Sequence, residues 1–542
     1  MSRVRRRCFT VVGATTAALL VTASPAAADP ATGPSTVTPP YVLPVAPGVT
    51  ITSLLTVDDA GSAGNGYEMV GIPDGLGAYR TGDRVTVLMN HELNATSGIM
   101  RRHRQQGALV SELQLNRQSN QVVAGQDLID PGVRYWNYLT SSYSLAPNAG
   151  GSQADGDVFP TYDARFGRFC SGRLTDPGQL FNLSTFKGYF GQLYFANEEV
   201  GNEGRNFAVT TDGQATQLPR LGLFSWENTL PASNRSDTTL VMGDEDGGDG
   251  QLWAYVGTKQ RAGGPVDQAG LTNGQSNVID LVNESISTDT QFRTTFGKGT
   301  PARFDLSDVD WDQSGADQNA EALAEGLSLN RIEDGAFDPQ HPNDFYFVTT
   351  AGGNGPGGGL WRLRWDNIEN PALGGTLTLL LDGSEGLVSP DNIDIDRKGN
   401  LLIQEDPGNN PHVARIMAYR ISDGKLATVA SFNPAQFAPG AANFITQDEE
   451  SSGIIDVNSL LNPFSVAPIP GIPGIPGTGF TGFTGFPGIP GYAIPGIPGT
   501  PDGIFLFDAQ VHTAPTNNVA EYVERGQLMR MQVNNWGAVY GS

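Results

Sequence analysis

The sequence predicts an all-β protein, a β-propeller of six blades with long loop insertions and few short helices. Three observations predict it. Short runs rich in β-branched and aromatic residues recur along the chain, among them DRVTVLMNHE, GQLYFANEE, QLWAYVGTK, DFYFVTT, GLWRLRW, TLTLLLDG and GIFLFDAQVH, and Gly, Asp, Asn and Pro punctuate them. One segment spells out a whole blade. SPDNIDIDRKGNLLIQEDPG (389–408) followed by ARIMAYRISDGKLATVASF (414–432) reads as strand, Asp-x-x-Gly turn, strand, acidic loop, strand, Asp-Gly turn, strand. Finally, no stretch longer than about 12 residues keeps a helical period, and DQNAEALAEGLSL (317–329) is the best helix candidate. A sandwich of this length would need several domains, and no linker divides the chain.

Taken in order, residues 1–28 read as an export leader: a basic head (Arg3, Arg5, Arg6, Arg7), an apolar stretch from Phe9 to Val21 and a small-residue cleavage site at Ala26-Ala27-Ala28. Arg6-Arg7-Cys8-Phe9 also fits the Arg-Arg-x-aromatic core of a twin-arginine leader, with Arg5 where Ser or Thr is usual. The apolar stretch is too short for a membrane anchor, and no later segment approaches the roughly 18–20 apolar residues that span a bilayer. The expected product is therefore secreted or extracytoplasmic, with no membrane span. Residues 29–50 are expected to be an extended N-terminal segment, and 51–542 one propeller domain. A Pro/Gly/Ile-rich insert at 463–503 interrupts it, too dense in Pro and Gly for a strand ladder or a core helix.

Charge narrows the partners. Acidic residues number 57 against 33 basic ones, a net −24 that becomes −28 once the four leader arginines are gone. A nucleic-acid binder must supply positive charge to phosphate backbones, so that class is excluded. Acidic excess serves solubility, and it also builds sites for hard cations with oxygen ligands. The five histidines (His91, His103, His341, His412, His512) share no metal-site spacing, so a metal centre here would lean on carboxylates. With Cys8 in the leader, Cys170 is the one thiol left, and it is either a buried inert thiol, half of an intermolecular disulfide, or a ligand.

Acidic residues gather just after the apolar strands. Asn90-His91-Glu92 ends one run and Glu198-Glu199 another; Asp244-Glu245-Asp246, Arg331 with Glu333 and Asp334, Asp391, Glu405-Asp406 and Asp448-Glu449-Glu450 follow. In a propeller the inner strand ends converge on a central channel, where carboxylates from separate blades must bind cations to offset their repulsion and desolvation.

The ordered series NHE, CSG, NEE, R-x-E, SPDN, IQED, DEESSG, over about residues 80–512, resembles the PhoX-type alkaline phosphatases and their relatives, exported bacterial β-propeller proteins. The resemblance implies a phosphoric ester hydrolase whose Fe3+ and Ca2+ ions lie on the propeller axis. It implies that Cys170 is the thiolate ligand of iron, and that Glu199, Glu333, Asp391 and Asp406 are metal ligands, with Glu198 and Glu405 as neighbouring alternatives. Asn90 and Glu92 would complete a calcium site, and Arg331 would hold the phosphate of a small-molecule ester. His91 is a candidate general acid for the leaving group, or else a structural hydrogen-bonder beside the ligands. A monomer is expected. Two departures bear on the substrate pocket: SGRLTDPGQLF follows the cysteine where the family has a Gly- and Trp-rich turn, and Trp226 stands where relatives often place His. The alternatives are a calcium-dependent hydrolase of the lactonase kind, which does not need Cys170, and a noncatalytic extracellular scaffold.

Overall fold

The computed structural model describes residues 30–541 apart from 139, 146–164, 284, 354–356 and 463–499. The leader, and all but the end of the Pro/Gly/Ile-rich insert, lie outside the described residues.

Most of the described strands group into four-stranded antiparallel units, here called blades 1 to 6. Blades 1 to 5 follow one another at 73–127, 169–217, 226–281, 332–381 and 390–432. Blade 6 takes three strands from 449–533 and its fourth from Val49–Thr56, which pairs antiparallel with Arg525–Val533. The first strand of each blade lies innermost. These six strands (Pro73–Thr81, Phe169–Leu174, Trp226–Pro231, Ile332–Phe337, Pro390–Ile395 and Glu449–Asp456) touch one another in cyclic order, and the last touches the first. Such a closed ring of radial sheets is a β-propeller.

The apolar pattern explains the closure. Each blade is buried on both faces, and six large hydrophobic clusters fill the six spaces between neighbouring blades. Leu76 and Val87 of blade 1 meet Leu506 and Leu528 of blade 6, for example. In the space between blades 2 and 3, Trp226 stacks on Phe224 with ring centroids 3.9 Å apart. A fully buried aliphatic or aromatic side chain contributes about 1.5–3 kcal/mol, so each such space is a substantial adhesive.

Additions at the rim leave this plan intact. Val42–Pro44 joins the outer edge of blade 5, and Ala302–Val309 links the outer strands of blades 3 and 4. Residues 30–56, expected to begin as a plain extended segment, thus stitch blade 5 to blade 6. The helix expected over 317–329 runs over Gly315–Glu325. Ser314 caps it by accepting a bond from the Asp317 amide, earlier than the apolar pattern suggested, and Gly326 ends it before a short strand at Ser328–Leu329. Among the described residues no helix is long and apolar enough to cross a membrane.

Candidate metal centre

Each inner strand is bulged near its start. The register shifts lie between Pro73 and Leu76, Phe169 and Gly172, Trp226 and Thr229, Ile332 and Gly335, Pro390 and Ile393, and Ser452 and Ile454. A bulge bends the strand and re-aims a side chain; it acts at equivalent places in blades 1 to 5, whereas in blade 6 Glu449 to Ser452 pair in register and the shift comes after them. The second residues of the six strands are Asp74, Cys170, Glu227, Glu333, Asp391 and Glu450. Five are buried and Glu450 is half-buried. Ligand atoms of Asp74, Cys170 and Glu227 lie within 4.8 Å of one another, as do those of Glu227, Glu333 and Asp391. The Cys170 thiol donates to Asp74 Oδ2 at 3.3 Å, and the charge of Glu450 is felt by both Asp74 and Asp391, which completes the circuit. Five carboxyls and one thiol, one per blade, ring the axis.

Close packing lets the ring form. The third residue of the inner strand is Ser, Asn or Asp in blades 2 to 6 but Gly75 in blade 1, where a Cβ would stand 2.1 Å from the Gly172 amide nitrogen. In blade 3 Trp226 faces the core, and strand alternation turns the adjoining Glu227 to the axis. The departure at Trp226 therefore lies in the core packing.

A second tier sits at the ends of the neighbouring strands. The first residue of each inner strand pairs with the last of its neighbour: Pro73 with His91, Phe169 with Glu198, Trp226 with Glu245, Ile332 with Thr349, Pro390 with Glu405 and Glu449 with Val511. The next residue along is Glu92, Glu199, Asp246, Thr350, Asp406 or His512. Ligand atoms of Glu92 and Glu199 lie within 4.8 Å of Cys170 Sγ and of each other. Arg168 Nη2 bonds both carboxylates, and its Nε reaches Glu199 at 3.1 Å. Arg331 grips Asp246 through two bonds of 2.8 and 2.9 Å, and its Nη2 lies 3.0 Å from Glu333. His512 lies 2.8 Å from Glu524 and 3.5 Å from Glu450.

The structure separates the residues nominated from sequence. Cys170, Glu199, Glu92, Glu333 and Asp391 converge, and Arg331 stands beside them. Asp406 faces the same centre from the second tier, within the field of Glu450. Glu198 and Glu405 hold the preceding position and are occupied elsewhere. Glu198 accepts from Arg205 Nε and Nη2 at 2.5 and 2.7 Å and from the Gly167 amide at 3.0 Å. Glu405 accepts from Arg415 Nε and Nη2 at 2.8 and 2.6 Å and from the Val388 amide at 3.0 Å. His91 is fully buried; its Nδ1 meets the Gly71 carbonyl at 3.0 Å, which requires a proton there, so Nε2 accepts from Ser111 Oγ at 2.7 Å. No donor is left over for a leaving group. Asn90 lies behind the thiol, donating to the Cys170 carbonyl at 2.7 Å.

Asp74 and Glu227 are the ring members that sequence reasoning missed, and Glu450 was marked only as one of three successive acids and not singled out as a ligand. The signal was present: PDG, FCS, WEN, IED, PDN and EES share one pattern, a ligand in second place before a small or polar residue.

Electrostatics tests the fit of a cation. Burial, then the neighbouring carboxylates, pushes Asp74, Glu227, Glu333 and Asp391 well above the ordinary carboxylate range. Burial and the charge of Glu227 push the Cys170 thiol up in the same way. Glu199 is raised to about 8 and Asp406 to about 7, burial again being the first cause. Glu450 moves the other way, because the His512 hydrogen bond and charge outweigh its burial. Asp74 Oδ1 and both Glu227 carboxyl oxygens are buried without a hydrogen-bond partner. Buried acceptors without donors, beside a thiol, are the donor set a bound cation completes, and its charge would reverse these shifts.

Fold and site together define a class: an all-β propeller whose blades each send one ligand-type side chain to a candidate metal centre on the axis. The solved structure of Pseudomonas fluorescens PhoX, in complex with vanadate as a transition state analogue, has the same fold. Its TM-score is 0.59 at 12% identity, over 93% of this chain and 98% of that one. A gluconolactonase from Xanthomonas campestris matches over 71% of this chain and 90% of its own at 12% identity, but its TM-score of 0.25 carries no weight. No family model matches the chain, and no curated protein matches it either.

Proposed function

We propose that the protein is an exported, monomeric metal-dependent phosphatase that hydrolyses small phosphate esters at the axial centre. Iron would be held by Cys170 with Glu227 and Glu199, and calcium by the carboxylates of Asp74, Glu92, Glu333, Asp391, Asp406 and Glu450. The observation that carries this reading is the ring itself, which unites five carboxyls with a single thiol and leaves buried oxygens unpartnered. A set of carboxylates alone would suit hard cations only, and the thiolate adds a softer ligand suited to iron. The fold shared with PhoX supports it.

Such ions, when bound, supply Lewis acidity toward a phosphoryl group. The chain's own residues do the rest. Arg331, its side chain 44% exposed, is held through Nε and Nη2 by Asp246, which leaves its positive charge and Nη1 to meet a phosphoryl oxygen. Gln510, bonding Glu92 at 3.1 Å and Asp74 at 3.4 Å, orients two carboxylates from beneath.

The test is metal analysis by mass spectrometry on the full chain exported by its own host, with p-nitrophenyl phosphate as substrate. Iron and calcium together, a visible thiolate-to-iron absorption band and phosphate release are expected. A colourless, iron-free protein that stays inactive with added calcium would sink the phosphatase reading.

A further inference from the structure

The residue just before an inner strand has a positive φ in four blades: Ile72 (50°), Arg168 (39°), Arg331 (55°) and Ser389 (42°). None is glycine, and the left-handed conformation costs a residue with a side chain on the order of 1 kcal/mol or more. One strained turn is thus repeated at equivalent places beside the axial ring. Two of the four positions carry arginine, in blades 2 and 4.

Those two arginines are bonded alike. Arg168 reaches the second-tier acid of the preceding blade, Glu92, and Arg331 likewise reaches Asp246. Their side chains are 41% and 44% exposed, so each guanidinium is open to solvent at the mouth. Arg168 stands two residues before the ring ligand Cys170, as Arg331 stands two before Glu333. Both use Nε and Nη2 on carboxylates, which leaves Nη1 without a protein partner among the described residues. The surrounding chain is strongly acidic and repels anions, so cations at this rim carry particular weight.

We infer that Arg168 is a second oxyanion-binding residue that works as a pair with Arg331, the two gripping one phosphate group from blades 2 and 4. The inference rests on the phosphatase reading and deepens it. A group held from two sides must offer several free oxygens on one centre, which favours monoesters over diesters.

Binding of inorganic phosphate to the metal-loaded full chain, measured by calorimetry, tests the pair without turnover. Arg168→Gln and Arg331→Gln should each weaken phosphate binding roughly ten- to hundredfold, as expected for loss of a charge-assisted bond. Iron and calcium content should stay at the wild-type level, and Arg168→Lys should recover part of the affinity. Normal phosphate binding in Arg168→Gln, beside weakened binding in Arg331→Gln, overturns the pair alone. Loss of metal in Arg168→Gln in step with phosphate also overturns it, since the residue would then serve only to orient Glu92 and Glu199. A wild-type protein that holds its metals yet binds no phosphate overturns both the pair and the phosphatase reading.

Discussion

Glu405 and Asp391 are both buried acids of blade 5, and both lie near the axis, yet the fold treats them oppositely. Glu405 accepts two bonds from Arg415 and one from the Val388 amide. Asp391 is ringed by the charges of Glu450, Glu227 and Asp406, and burial pushes its carboxyl well up. Glu198 repeats the first pattern and Glu227 the second. One set of acids knits the blades, and the other is held at a cost that a ligand must offset. Burial alone cannot distinguish them; the partner does.

Substitution should break the two sets apart. The largest effect belongs to the axis. Glu227→Gln should weaken metal binding by roughly a hundredfold or more, judged against the 10- to 100-fold cost of lesser changes around metal ligands. The same change should raise the thermal midpoint of the metal-free protein, because it removes a buried carboxyl that its acidic neighbours disfavour. Metal titration and calorimetry on one preparation read both, and a lowered metal-free midpoint would contradict the contrast.

Glu405→Gln should do the reverse. Breaking a buried pair costs about 3–5 kcal/mol, visible as a drop in denaturant midpoint, while metal stoichiometry stays unchanged. Loss of metal at full stability would move Glu405 into the centre.

The pH dependence sharpens the contrast further. Glu199 rises from 4.5 to about 8 and Asp406 from 3.8 to about 7 in the fold. Each binds its proton more tightly folded than unfolded, so its contribution is whole below about pH 4 and lost as pH climbs through 7 to 8. Metal-free protein should accordingly melt at a lower temperature near pH 8.5 than near pH 5.5. The loaded protein should show the opposite trend, since cations bind the deprotonated ligands. Thermal scans at the two pH values check both signs.

The smallest effect is expected at His91. His91→Gln should cost about 1–3 kcal/mol through the lost Ser111 bond, with metal content and the pH profile of hydrolysis unchanged. An altered basic limb in that profile would restore His91 as a proton donor.

How much of this was legible in the sequence varied by blade. Blade 5 stood out because its turns carry the Asp and Gly that tight turns require and its strands follow at short spacing. Blade 1 did not, although Asp74 is the counterpart of Asp391. PDG reads as a turn, and only the bulge against His91 makes Asp74 an inner-strand residue. Acids in sequence, as in NEE and QED, posed a different limit. Composition marks both members, but the choice between Glu198 and Glu199 rests on which faces Arg205, a tertiary fact. Nor could local pattern reveal that Val49–Thr56 completes blade 6, since hydrophobic alternation names a strand and not its partner.

That last pairing governs how the centre comes into being. Tyr41 donates its amide to Gln527, 486 residues away, alongside the ladder that Val49–Thr56 makes with Arg525–Val533. Contacts of such separation pay loop-closure entropy first and return stability late, so they form slowly. Until they form, blade 6 lacks its outer strand, and the circle that sets Glu450 between Asp391 and Asp74 stays open. The axial ring therefore cannot be assembled piecemeal as successive blades emerge from synthesis. It is a checkpoint as well as a site: only a molecule whose circle has shut can present all six side chains to a cation at once.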